Sequence, residues 1–164
     1  MAKMHHISLT RHTPYTPQQL FDLVCDVDSY QQFVPYCCAS RVVSRQSTPT
    51  GALMCAELAV AYRFLRETYS SQIILSDSPL AVRIEQLRGP FRHLQNCWQF
   101  EAAPPSKAGK NGCIVHFDLH FDFAVPLLRH VVQPIMPRVT EKFISIFEAR
   151  AATIYGTKIS QSGG

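Results

Sequence analysis

The stretch CIVHFDLHFDFAV, residues 113–125, constrains the fold more than any other part of the chain. Val115, Phe117, Leu119, Phe121 and Phe123 alternate with His116, Asp118, His120 and Asp122. Side chains on a strand point to opposite faces with period two, so this segment is stable as a strand with one face buried and the other wet. A strand of that kind belongs in an antiparallel sheet and needs a second layer over its apolar face.

The rest of the chain supplies both. Residues 5–12 place Ile7 and Leu9 at period two, as in a short strand. The period then changes. Thr16 is a good N-cap, Pro17 suits a first helical position, and Leu20, Phe21, Val24 and Val27 recur at helical spacing. A helix over 17–26 follows, with a shorter turn over 28–32. Alternating stretches at 39–47, 52–62, 63–75, 80–87 and 92–102 are separated by TPTG, SDSP and RGP breaks. Segment 104–112 reads as a polar loop. At the C-terminal end, residues 140–155 form an amphipathic helix with Phe143, Ile146, Phe147, Arg150, Ala151 and Ile154 near one face. Pro134 and Pro137 should kink or divide the apolar segment before it. The expected architecture is α+β: a curved antiparallel sheet of about seven strands around a long C-terminal helix. A single domain over 1–156 and a frayed tail over 157–164 complete it.

A chain of 164 residues buries roughly 68–70% of its unfolded surface, enough to fold without a metal or disulfide. None of the six cysteines forms a CxxC pair, and neighbours such as Cys37 and Cys38 bridge poorly, so reduced thiols are expected. No apolar run approaches the roughly 18 residues that span a bilayer. The N-terminal MAKMHHISLTRH has neither a signal core nor a presequence pattern, which predicts an unprocessed cytoplasmic protein. The net charge of +4 suits anionic lipid or RNA surfaces without selecting either.

Four segments in order, DVDSYQQFVPYCCASRVV (26–43), RGPFRHLQNCWQF (88–100), FDLHFDFAVPLL (117–128) and FEARAATIYG (147–156), resemble the coenzyme Q-binding family of the START and polyketide-cyclase-like superfamily. The resemblance covers residues 4–156. It implies a helix-grip fold with an apolar tunnel between sheet and helix; eukaryotic members carry mitochondrial presequences, so the lack of that pattern here predicts a bacterial member, peripheral to the inner membrane. The family often has Trp where this chain has Tyr36. Bacterial relatives also carry the label of ribosome-association toxin, acting on the large subunit.

The inward faces read from alternation are Leu58, Val60 and Tyr62 on one strand, and Leu94, Asn96, Trp98 and Phe100 on another. These contain no charged dyad, so no catalytic residue is expected. Successive members of the His116–Asp122 face sit roughly 7 Å apart, too far to share one zinc, and read as a polar outer face. The apolar FVPYCC loop (33–38) reads as pocket lining or rim, with Pro35 holding Val34 extended.

Under the resemblance the ligand wall comprises Phe33, Val34, Pro35, Tyr36, Leu58, Val60, Tyr62, Phe91, Leu94, Asn96, Trp98, Phe117, Leu119, Phe121, Met136, Phe143 and Phe147. Tyr62 and Asn96 are the candidate donors to quinone oxygens. Arg129, Arg138 and Lys142 are the expected contacts with a transient membrane surface. The expected function is non-enzymatic binding of a polyprenyl quinone, ubiquinone, as cargo rather than cofactor, in support of respiration. Burying each methylene of its tail gains about 0.8 kcal/mol. The alternatives are a toxin that binds the large ribosomal subunit and, more remotely, a polyketide cyclase or aromatase. No RNA-binding signature appears, and no DNA partner is expected.

Overall fold

The computed structural model describes residues 5–104 and 112–156, so the expected tail and most of the 104–112 loop lie outside the described residues. Seven strands form one antiparallel sheet: β1 (His5–Thr13), β2 (Cys37–Thr48), β3 (Gly51–Tyr62), β4 (Leu65–Asp77), β5 (Leu80–Arg88), β6 (Phe91–Ala102) and β7 (Cys113–Phe123). Their spatial order is β1-β7-β6-β5-β4-β3-β2. The first strand thus lies beside the last, and β2 to β7 pair with one another in sequence order.

Two short helical runs interrupt the strands after β1. Helix α1 (Pro17–Cys25) starts with a capping box in which the Thr16 hydroxyl accepts from Gln19 N and the Gln19 side chain accepts from Thr16 N. It buries Leu20, Phe21, Leu23 and Val24. A 3-10 turn (Val27–Ser29) and the four-residue α2 (Tyr30–Phe33) lead into the FVPYCC loop.

After β7 come α3 (Pro126–Val131), a 3-10 turn (Gln133–Ile135) and the long α4 (Met136–Tyr155). Pro134 divides the segment, as its missing N–H requires. Pro137 does not, because it sits in the first turn of α4, where no intrahelical partner is lost. The helix therefore starts four residues earlier than its amphipathic pattern suggests. Its buried stripe is Thr140, Ile144, Phe147 and Ala151. Ile154, assigned to the covered face from sequence, is exposed, and Ile146 and Arg150 are half-buried. Ala151, fully buried, lets the helix approach closely. Arg11 of β1 pairs with Glu148 at 3.0 Å, and Tyr155 Oη donates to Gln19 O, so α4 is tied to both β1 and α1.

The inward faces are continuous across the sheet. Ala52, Met54, Ala56 and Leu58 of β3 are buried, as are Trp98 and Phe100 of β6 and the odd-numbered residues of β7. The outer face of β7 pairs with its neighbours: His116 with Glu101 and Asp118 with His6, each at 2.9 Å. That hydrogen bond from His6 holds the Asp118 carboxyl below its usual range. Asp122 departs from the expected polar face. It is buried, with Arg129 at 3.4 Å and Arg92 at 3.8 Å. The six cysteines are free thiols, and burial pushes Cys25 up to about 12. No helix among the described residues is long and apolar enough to cross a membrane.

Candidate functional site

Sheet and C-terminal helix do not close on each other completely. Between them lies a cavity of about 300 Å³, at the low end for small-molecule sites. One wall is the inner face of β3 to β7, and another is the segment from Leu128 to Phe143. The FVPYCC loop borders the entrance. Pro35 and Tyr36 are the exposed members of the lining and mark the mouth, with Tyr62 and Leu65 half-buried beside them.

Tyr36 holds a left-handed backbone (φ 67°), which an aromatic residue adopts only at a cost. Two contacts hold it there: its carbonyl accepts from Ala61 N at 2.8 Å, and its ring packs edge-on against Tyr62 at 5.1 Å.

Most of the wall expected from sequence is in place. Val34, Pro35, Tyr36, Leu58, Val60, Tyr62, Phe91, Leu94, Asn96, Trp98, Phe117, Leu119, Met136 and Phe143 all line the cavity. Three do not. Phe33 points away, packing on Phe147 at 5.2 Å with the Arg150 guanidinium 4.9 Å over its ring. Phe147 lies behind Trp98, beside a minor void of about 10 Å³. Phe121 is buried beside its cross-strand partner His5, and Phe123 reaches the cavity instead. The apolar loop is thus divided residue by residue: Phe33 seals the α4 side, Val34 is wall and Tyr36 is rim.

The polar residues missed from sequence are chiefly those of β4, while apolar ones such as Ile84, Phe123, Leu128 and Val132 were missed on other elements. On β4, Glu67, Tyr69, Ser71 and Ile73 occupy alternate positions and all face the cavity. The register carries the signal, because Val60, Leu58, Ala56 and Met54 of β3 stand opposite them. Burial pushes the Tyr69 phenol up to about 12, and the residue lines the cavity. Tyr30, also in the wall, is raised well above its ordinary value by burial and donates to Val24 O.

The remaining polar groups of the wall are largely committed. Asn96 accepts from Trp98 Nε1 at 2.8 Å and donates to Asp118 O at 2.9 Å, leaving one amide N–H. Thr140 Oγ1 donates to Met136 O. No Lys, Arg or His lines the cavity among the described residues.

The expected membrane contacts divide too. Arg138 and Lys142 are exposed on α4. Arg129 is structural: its Nε donates to Phe123 O at 2.8 Å and its guanidinium faces the buried Asp122. Arg129→Met should lower unfolding free energy by up to about 3 kcal/mol, because it leaves the buried Asp122 carboxylate with only Arg92, 3.8 Å away, while vesicle binding stays as in wild type. Chemical denaturation and vesicle sedimentation on the same preparation check both halves.

A seven-stranded antiparallel sheet curved around a long C-terminal helix, enclosing an apolar cavity, defines the START-like helix-grip class. Residues 13–148 match the model of the family described as polyketide cyclase / dehydrase and lipid transport, and the chain belongs to that family. It is 33% identical to ribosome association toxin RatA of Pseudomonas aeruginosa, over 92% of this chain and 98% of that protein. It is also 33% identical to the mitochondrial coenzyme Q-binding protein COQ10 homolog B of Xenopus laevis, over 87% of this chain and 56% of that one. The solution structure of an 18 kDa protein from Caulobacter crescentus superposes with a TM-score of 0.73 at 33% identity, covering 93% of this chain and 99% of the other.

Proposed function

We propose that the protein binds a neutral polyprenyl lipid, a quinone of the ubiquinone type, without chemically altering it, and exchanges it at a membrane surface. The observation that carries this reading is the chemistry of the cavity wall. It is apolar, its unspent polar groups are few, and none of its described residues is cationic. A fatty acid or phospholipid headgroup would be buried without a counter-charge and beside the Glu67 carboxylate, a double penalty. A quinone carries no charge and needs only a donor or two. The wall also lacks a paired acid and base, since Glu67 is its lone carboxylate among the described residues. The kinship with a coenzyme Q-binding protein supports the same choice of ligand.

The exchange surface is the mouth. Phe64, 75% exposed, caps the β3–β4 turn directly beyond the Tyr62–Leu65 pair, with Arg63 and Arg66 flanking it. An aromatic tip between cations suits an anionic interface, on the cytoplasmic face of a bacterial inner membrane. This turn, rather than Arg129, supplies the basic contact.

The second reading, association with the large ribosomal subunit, is favoured by the kinship with RatA over nearly that protein's whole length. One purification separates the two. Protein from a ubiquinone-making host should retain quinone in an organic extract, bind palmitate weakly, and sediment apart from ribosomal subunits in moderate salt. An extract without quinone, together with stoichiometric comigration with the large subunit, would replace the first reading with the second.

A further inference from the structure

Ser71 is 1% exposed, lines the cavity, and its hydroxyl has no hydrogen-bond partner among the described residues. Buried polar groups are rarely left unpaired, and each such group calls for a cause. Three other buried side-chain atoms share this condition: Asp122 Oδ2, Arg129 Nη2 and Arg150 Nε. Each of those belongs to a residue with an ion pair or an aromatic face as compensation. Ser71 has neither.

Its neighbour on the same face is Tyr69, whose ring packs edge-on to Phe91 at 6.3 Å and whose hydroxyl has no protein partner among the described residues. Alternate residues on a strand are about 7 Å apart and share a face, so the two side chains line the same cavity. The depth order is set by burial along β4: Leu65, Glu67 and Tyr69 are half-buried, and Ser71 and Ile73 are closed off. Two uncommitted donors thus sit inside, and the carboxylate sits nearer the mouth.

We propose that the cargo enters ring-first, with Ser71 Oγ and Tyr69 Oη donating to a carbonyl of its ring and the polyprenyl tail running outward past Glu67. This rests on the quinone reading above and adds the orientation. The reverse orientation would press hydrocarbon against the buried Ser71 hydroxyl and the Tyr69 hydroxyl and leave both unpaired, which is costly. A cavity of about 300 Å³ is at the low end for small-molecule sites, so it takes a ring and only the first part of a tail. The remainder of a long tail emerges over the aromatic rim of Tyr36 and Tyr62. Ring-first entry also places the redox-active carbonyls away from solvent, so the bound quinone is shielded from aqueous reductants.

The test uses two probes, a ubiquinone with two prenyl units and squalene, a polyprene without oxygen, against wild type, Ser71→Ala and Tyr69→Phe. Each substitution should weaken ubiquinone binding about three- to tenfold, the worth of one hydrogen bond, and leave squalene binding unchanged. The carbonyl stretch of bound ubiquinone should lie at lower frequency in wild type and move back up in the double variant. Ser71→Ala should also raise the melting temperature of the ligand-free protein, because it deletes an unpaired buried hydroxyl; a merely structural serine would lower it. Unchanged ubiquinone affinity in both variants, with wild type binding both probes, overturns the ring-first orientation and leaves the quinone reading standing. Wild type that takes squalene but not ubiquinone, or neither, removes both.

Discussion

Trp98→Ala is expected to cost about 3–5 kcal/mol of stability, the range for deleting a large buried aromatic. For a chain of this size that is a fall of roughly 6–20 °C in melting temperature. Trp98 is 2% exposed and stands between the cavity and the minor void behind it, lining both. Its ring packs against Phe117 at 4.8 Å, Phe147 at 5.4 Å and Phe143 at 6.0 Å, so it joins β6 and β7 to α4. Removing it merges the two spaces, takes those contacts from three other rings, and leaves the Asn96 carbonyl without the indole N–H. The new space is lined by apolar side chains and should accept a small aromatic. Added indole should therefore raise the melting temperature of Trp98→Ala by more than it raises that of wild type, whose cavity lacks the space the indole ring of Trp98 fills. An alanine variant that melts within a few degrees of wild type would mean that α4 can collapse onto the sheet, and that Trp98 is not the partition described here.

How much of the fold and the cavity is legible in the sequence depends on the physical signal each residue carries. The alternation of β7 and the helical period of α4 are intrinsic, and both elements are found where the sequence puts them. The capping function of Thr16 was equally local. The start of α4 was not, because a proline reads as a breaker until it is known to fall in a first turn, as Pro137 does. The cavity wall was legible on strands that alternate cleanly, such as Leu58–Val60–Tyr62 and Leu94–Asn96–Trp98. It was illegible on β4, where RETYSSQ mixes charged and hydroxyl residues on both faces. Only the pairing with β3 shows that Glu67, Tyr69 and Ser71 point inward. Asp122 failed for the opposite reason. Its position in the HFDLHFD alternation is outward, but α3 folds back and brings Arg129 over it, which no strand pattern can foretell. Phe33, Phe121 and Phe147 are apolar residues in plausible positions, and composition cannot separate a wall from the core behind it.

Val34→Asp should be the most damaging change in the loop. Val34 is 9% exposed, its N–H donates to Tyr30 O at 2.8 Å, and its side chain is both core and cavity wall. A carboxylate there loses most of its hydration with no cation among the described lining residues to replace it, at a cost of about 3 kcal/mol or more. The sign with pH follows from that cost. Burial raises the carboxyl pKa of the folded state above its unfolded value of about 3.9. Between the two, the native state holds more protons than the unfolded one, so stability falls as pH rises through that window. The variant should therefore be closest to wild type in mild acid and worst at neutral and higher pH. Tyr36→Asp is the matched control. Tyr36 is 49% exposed, so its charge stays hydrated at the rim; the fold should survive with little pH-dependent loss, while quinone uptake falls because an apolar ring must pass a carboxylate. Urea unfolding at pH 5 and pH 8, with ubiquinone binding on the same samples, separates the two sites. A Val34→Asp protein as stable as Tyr36→Asp at both pH values would place Val34 in water and move the mouth of the cavity one residue deeper into the loop.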